Sequence, residues 1–374
     1  MSFIKNNYEK GQEYMASKVR IRDLTKRFGN TIAVNKLNLE IRAGEFVCFL
    51  GPSGCGKTTT LRCIAGLERQ DEGDIYIDDD LVNDLSPAER DIAMVFQFPV
   101  VYPATTVKDN LEFPLKQRRL PKDEIRKRVN EIAKALRIEH VLNRVASDLN
   151  IGEKQRVAIG RAIIRSPKVL LLDEALTNLD TEMKLSMIAE LKRIHEEFNQ
   201  TIVYVTHDQS EAMMMADRIA VMNLGVLQQY DTPEELYSSP RNLFVAGFIG
   251  SPPMNLINAK YIPEKSVVQI NNFYIDVSNY REIIDKKISS NELVLGFRPE
   301  YAVIHKVCQS SDHLKGEVEI VELLEDRLSL DIRLTDQIIK VLVPGTYDMS
   351  IGDQVCVELN KFHLFDEKTG ETVL

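Results

Sequence analysis

At 374 residues, with 44% hydrophobic and 28% charged side chains, the chain has room for two or three domains and ordinary globular usage. This excludes a disordered chain, a collagen-like fibre and a polytopic membrane protein. Its 47 basic and 56 acidic residues leave a net charge of −9, a poor field for general nucleic-acid binding, which needs basic surface to displace phosphate counterions.

Residues 1–18 are polar, lack a hydrophobic signal core and read as a loose tail, with Met15 as an alternative start. No apolar run approaches the roughly 20 residues that cross a bilayer. Phe46-Val47-Cys48-Phe49-Leu50 and Val169-Leu170-Leu171-Leu172 are only strand-length, so membrane association has to come through a partner and the chain is expected in the cytoplasm. Cys48, Cys55, Cys63, Cys308 and Cys356 show no zinc-type CxxC spacing and read as reduced thiols.

From 19 to about 235, strand-like runs at 46–50, 92–96, 169–173, 202–206 and 218–222 alternate with helices that start at Lys57, Asp123, Glu153 and Gln209. That alternation predicts an α/β domain with a largely parallel sheet. The helix from Asp123 places Ile125, Val129, Ile132 and Leu136 on one face. Asp231-Thr232-Pro233 opens a short helix that Ser239-Pro240 breaks. Beyond Ser251-Pro252-Pro253 the period becomes two. Leu328, Leu330, Ile332 and Leu334 alternate with polar residues, as do Val355, Val357 and Leu359. With turns at Asn271-Asn272 and Pro344-Gly345, this predicts a small antiparallel barrel or sandwich.

Gly51-Pro52-Ser53-Gly54-Cys55-Gly56-Lys57-Thr58 fits GxxxxGK[ST] between an apolar strand and a helix pattern. Glycines let backbone N–H groups turn inward around phosphate oxygens, and the helix N-terminus adds its positive dipole end. Lys57 is placed to bridge the β- and γ-phosphates, and the Thr58 hydroxyl to ligate Mg²⁺. The bland alternative is a glycine turn with a surface lysine. A second metal anchor is Asp173, which emerges at the carboxyl end of the buried run 169–172. Glu174, one residue on, is the candidate general base for the attacking water. His207 follows another buried run, Ile202 to Thr206, where an imidazole at the sheet edge can reach the γ-phosphate.

Together these residues resemble the nucleotide-binding subunits of ABC transporters, specifically the ATPases of maltose-type carbohydrate importers, over about residues 19–374. The resemblance implies that Phe28 stacks on adenine and that Thr59 lies beside the phosphates. Val95-Phe96-Gln97 matches the family's Q-loop, implying that Gln97 joins the metal and hydrolytic centre and couples it to a permease. Asn178-Leu179-Asp180 matches the D-loop, which implies a nucleotide contact for Asp180, and His207 matches the switch histidine. The segments 244–255 and 296–300 resemble the link to a regulatory β-domain. The fold implied is a P-loop ABC ATPase domain to 235, with a helical subdomain about 98–155, then an OB-like regulatory β-barrel over 236–374.

The family signature, usually LSGGQ, falls at Leu149-Asn150-Ile151-Gly152-Glu153. Asn150 and Gly152 are implied to meet the nucleotide held by a partner subunit. Ile151 resists positive φ and Glu153 adds negative charge, so both are expected to weaken closure. Phe98-Pro99 after Gln97, and Ala175 after Glu174, are smaller departures.

The function implied is an ATP-hydrolysing importer motor at the cytoplasmic membrane face. Its substrate and metal are ATP and Mg²⁺. Its implied partners are a second copy or a different ATPase subunit, two permease subunits and, indirectly, an extracytoplasmic solute-binding protein, with no nucleic acid. Two alternatives stand beside it. One is a soluble ABC-type ATPase acting on nucleic acid or the ribosome, which the acidic charge and single P-loop disfavour. The other is an ATP-binding regulator with little turnover, suggested by the altered signature. The basic run from Lys116 to Arg128 is interrupted by Asp123 and Glu124 and reads as a solvated helix face, with anionic lipid contact as a minor reading.

Overall fold

The computed structural model describes residues 16–306, 314–335 and 337–374. The first 15 residues, including Met15, and Cys308 lie outside the described residues. Ser17 is buried, and its carbonyl accepts from Thr201 Oγ1 at 2.7 Å. The packed chain therefore includes residues assigned to the loose tail. The chain divides into two compact units, one ending at Pro233 and one starting at Glu234.

In the first unit, β1 (Val19–Phe28) and β2 (Thr31–Ile41) form an antiparallel hairpin. β3 (Phe46–Leu50) is buried along its whole length and runs through the phosphate loop into α1 (Lys57–Ala65). β4 (Glu72–Ile77) and β5 (Asp80–Leu81) extend the antiparallel sheet, in the order β2-β1-β4-β5. Then come β6 (Ile92–Val95), α2 (Val107–Gln117), α3 (Lys122–Ala135) and α4 (Ile151–Ile163). The unit continues with β7 (Val169–Asp173), α5 (Thr181–Phe198), β8 (Ile202–Thr206), α6 (Gln209–Met215), β9 (Arg218–Asn223) and β10 (Val226–Asp231).

The main sheet has the order β10-β9-β3-β8-β7-β6, parallel except for the β10 edge. Its central strands read as unbroken apolar runs because both faces are covered. Leu24 and Ile41 of the antiparallel sheet, Leu61 and Ile64 of α1, and Phe49, Val205 and Ala220 of the main sheet share one core. Each of the larger of these side chains, leucine, isoleucine, valine or phenylalanine, contributes about 1.5–3 kcal/mol on burial.

α3 buries Ile125, Val129 and Ile132, as its periodicity predicts. Two helices of the first unit are missing from the sequence reading. In α2, Pro114 disguises the pattern, and Asn110 anchors the helix instead: its amide bonds the Tyr102 carbonyl, the Thr105 hydroxyl and the Thr106 carbonyl, at 3.1, 2.9 and 3.0 Å. α5 is capped by Asp180, which accepts from Met183 N at 2.9 Å, and ends at Asn199 with φ 48°. The basic run does not form one helix face: it spans the end of α2 and the start of α3, and within it Lys116 meets Glu112, Arg118 meets Asp91 and Arg128 meets Glu124. Among the described residues no helix is long and apolar enough to cross a membrane.

The second unit holds two five-stranded antiparallel sheets. One orders Phe273–Asp276, Val267–Ile270, Asn255–Ile262, Glu292–Phe297 and His363–Asp366. The other orders Ala302–His305, Gln354–Leu359, Leu314–Leu324, Arg327–Arg333 and Ile338–Pro344. Their apolar faces share a core that includes Tyr261, Phe297, Val318, Leu330 and Val357. Asn271-Asn272 forms the two-residue turn, with Asn271 at φ 51°. Arg298 is fully buried: its guanidinium bonds the carbonyls of Tyr237, Ala246 and Ile249 and stacks on the Tyr237 ring at 4.1 Å. That accounts physically for the arginine of the 296–300 string.

Cys48, Cys55 and Cys63 are free and buried. Cys356 is disulfide-bonded, which corrects the expectation of reduced thiols throughout.

Candidate functional site

Strand register brings the sequence-distant motif residues to one sheet edge. Leu50 lies opposite Thr206, Asp173 opposite Val205, and Val95 opposite Leu172. The phosphate loop, Gln97, the Asp173-Glu174 pair and His207 therefore all leave the sheet at its carboxyl edge, where open α/β sheets bind ligands.

The phosphate loop closes on Gly56, the N-cap of α1, at φ 103°. A Cβ there would lie 2.3 Å from the Ala33 carbonyl, so only glycine permits this approach. Lys57 is buried, and its Nζ donates to the carbonyls of Gly51 at 2.7 Å and Pro52 at 2.8 Å. Cys55 Sγ lies 3.7 Å from the same nitrogen, while burial pushes the thiol up from its ordinary pKa. The Thr58 hydroxyl donates to Asp173 Oδ1 at 2.9 Å. Burial pushes the Asp173 carboxyl up, against that hydrogen bond. A neighbouring cation therefore favours its ionised form, and the two hard oxygens suit Mg²⁺.

Glu174 has φ 48°, a left-handed conformation uncommon for a non-glycine residue. Its N–H bonds the Val205 carbonyl at 3.0 Å, pinning the turn to β8. Gln97 Nε2 donates to Glu174 Oε2 at 3.2 Å, and His207 Nδ1 lies 3.4 Å from Glu174 Oε1. Asn178 Nδ2 donates to the Gln97 carbonyl at 3.3 Å, joining the loop before α5 to the one after β6. Asp180 is exposed and spends one oxygen on the α5 cap.

Phe28 ends β1 and is 49% exposed. It pairs with Thr31, two residues before Ala33, whose carbonyl abuts Gly56 of the phosphate loop. Lys26 Nζ lies 5.2 Å from its centroid. An exposed ring has little folding work to lose. Phe28→Ala is expected to weaken ATP binding about tenfold or more while leaving the melting temperature unchanged, and Phe28→Tyr to preserve both. Titration with a fluorescent ATP analogue and a thermal melt check this; unchanged affinity rejects the stacking role.

The signature segment differs from expectation. α4 starts at Ile151, two residues before the predicted Glu153, with Asn150 as N-cap. Asn150 Oδ1 accepts from Glu153 N at 2.8 Å, and Glu153 Oε2 accepts from Asn150 N at 3.0 Å, a capping box. Ile151 is thus an ordinary helical residue and is not among the positive-φ positions. The negative charge of Glu153 is matched by Arg144 at 3.3 Å, with His140 at 3.8 Å. A Cβ on Gly152 would sit 1.8 Å from Met183 Sδ, so glycine here also serves α4–α5 packing. Asn150 and Glu153 thus bond each other, and Glu153 also bonds Arg144.

Lys184, Asp208 and Glu211 form a charged cluster beside His207 that the sequence reading missed. Asp208-x-x-Glu211 has the spacing of a capping box, which was the available signal. Glu211 instead turns inward, to the hydroxyls of Tyr204 and Thr206 at 2.5 and 2.6 Å.

The model of the ABC transporter family matches residues 34–177, and that of the MalK OB fold domain matches residues 250–302. The chain is 44% identical over 373 residues to the trehalose/maltose import ATP-binding protein MalK of Thermococcus litoralis, covering 95% of this chain and 99% of that protein. It is 42% identical over 346 residues to the oligosaccharides import ATP-binding protein MsmX of Bacillus subtilis, covering 90% and 94%. Among solved structures it is similar to cbiO1 from Clostridium perfringens, part of the ABC transporter complex cbiONQ. That match has 30% identity and a TM-score of 0.56, over 59% of this chain and 90% of the other.

Proposed function

Because the chain belongs to the ABC transporter family, as an ATPase subunit with a C-terminal OB-fold domain, we propose that it drives carbohydrate import through partner permeases. The observation that supports its motor role is the convergence at the carboxyl edge of the main sheet of the phosphate loop, whose Thr58 meets Asp173, and of Glu174, which Gln97 and His207 flank. ATP is the substrate. Carbohydrate as the cargo is supported by near full-length similarity to two sugar-import ATP-binding proteins.

In this reading the phosphates settle on the loop N–H groups and the N-terminus of α1, and Lys57 exchanges its backbone carbonyls for phosphate oxygens. Ser53, Gly54, Cys55, Gly56 and Thr59 line the same cradle. Thr58 and Asp173, with Gln97 as a further candidate, hold Mg²⁺, which when bound neutralises phosphate charge. Glu174 takes the proton of the attacking water, and His207 steadies Glu174 and the γ-phosphate. Asn150, Gly152 and Asp180 serve the nucleotide of a second copy, because the P-loop of one chain and the signature of another complete each site. The assembly sits peripherally at the cytoplasmic face on two permease subunits, fed by an extracytoplasmic solute-binding protein.

Coexpression with candidate permease pairs tests this. Copurification, and ATPase activity that rises with a sugar-loaded binding protein, are expected. Failure to associate with any permease, together with activity stimulated by RNA, points to the soluble ATPase class instead.

The capping box changes the expectation for the signature. Restoring serine, glycine and glutamine at Asn150, Ile151 and Glu153 exchanges one capping arrangement for another and removes a surface ion pair, an effect of order 0–1 kcal/mol. Steady-state ATPase activity and ATP-driven dimerisation of the triple variant are expected to stay within about fivefold of the parent. A rise of tens-fold means that the Glu153 charge restrains closure, and revives the low-activity regulator reading.

A further inference from the structure

His207 is half exposed at the end of β8, so its direction depends on the loop that carries it. Lys184 reaches that loop from α5: its Nζ lies 3.0 Å from Asp208 Oδ2 and 2.9 Å from Glu211 Oε1. Asp208 directly follows His207 and caps α6 through Ser210 N at 2.9 Å and Glu211 N at 3.3 Å. Glu211 is 1% exposed, and its other oxygen accepts from Thr206, the residue directly before His207. One ammonium thus grips both flanks of the histidine. Burial opposes the charge on Lys184, but the two carboxylates outweigh it and hold the ammonium protonated.

The same helix begins at Asp180, and the loop before it carries Asn178, bonded to Gln97 at 3.3 Å. Gln97 bonds Glu174 at 3.2 Å, and Glu174 meets His207 at 3.4 Å. A closed circuit therefore runs from Glu174 through Gln97, Asn178, α5, Lys184 and Asp208 to His207 and back.

We propose that Lys184 is a positioning residue that closes this circuit, orienting His207 by clamping Asp208 and Glu211 and tying the loop before α5 to the hydrolytic centre. The inference rests on the roles of Glu174 and His207 proposed above. A cation on a long stem is needed because an uncharged residue leaves Glu211 buried with hydroxyl donors alone. Misplacement of a reacting group by about 1 Å costs on the order of 100-fold in rate.

The test uses the full-length protein and compares Lys184→Met, Lys184→Arg, His207→Ala and the Lys184→Met/His207→Ala double variant. It measures kcat, KM, affinity for a fluorescent ATP analogue and melting temperature. Lys184→Met is expected to lower kcat about 10- to 100-fold with KM and affinity within about twofold, Lys184→Arg to restore most of it, and the double variant to lose no more than His207→Ala alone. A kcat near the parent's in Lys184→Met, or losses that multiply in the double variant, overturns the inference. If His207→Ala itself keeps full kcat, the histidine's assigned role fails, and the positioning inference with it, whereas a Lys184 failure leaves that role standing. Where Lys184→Met does not fold, Asp208→Asn replaces it, because the Lys184–Glu211 pair survives that change. A kcat loss that is non-additive with His207→Ala supports the inference, and no loss or an additive one overturns it.

Discussion

Glu174→Gln is expected to abolish most ATP hydrolysis, by about 100- to 10,000-fold in kcat, while ATP still binds. The amide keeps the size of the carboxylate and can retain the contacts with Gln97 at 3.2 Å and His207 at 3.4 Å, so the geometry survives and only the proton acceptor is lost. Affinity is expected to persist because Glu174 bonds Gln97, His207 and the backbone of Val205 and not the phosphate loop. With hydrolysis blocked, ATP is expected to hold two copies together. Size-exclusion chromatography with and without ATP reads that closure, and phosphate release reads kcat. Turnover near that of the parent protein assigns the base elsewhere.

The second large effect is expected at Lys57. Its three donors now rest on two backbone carbonyls and a thiol, partners much weaker than a polyphosphate. Bonds between a charged donor and its acceptor are worth about 1.5–3 kcal/mol, so Lys57→Ala is expected to weaken ATP binding roughly 10- to 100-fold. Lys57 is buried, and the truncation strands the Gly51 and Pro52 carbonyls, so a melt without nucleotide must accompany the titration. Lost affinity with a preserved fold supports the phosphate contact. Unchanged affinity removes Lys57 from the site.

Short-range chemistry made much of this protein legible in its sequence. The glycines, lysine and threonine of 51–58 lie within a few residues of one another, so their loop is a local property of the chain. The buried runs 46–50, 169–172 and 202–205 are apolar, and the period-two pattern of 327–334 marks a sheet with one wet face. Other features needed the fold. That Gln97, Glu174 and His207 meet depends on strand order β3-β8-β7-β6, which sets Gln97 beside Glu174, 77 residues on, and His207 beside it, a further 33 on. The helix start at Ile151 depends on whether Asn150 and Glu153 bond each other, a choice reinforced by Arg144 from outside the helix. Glu211 turns from its helix cap to Tyr204 because β8 presents two buried hydroxyls and α5 brings Lys184 to the same place. Local pattern sets which residues can do chemistry; register and packing decide which of them touch, because hydrogen bonds and ion pairs act over a few ångströms, whatever the separation along the chain.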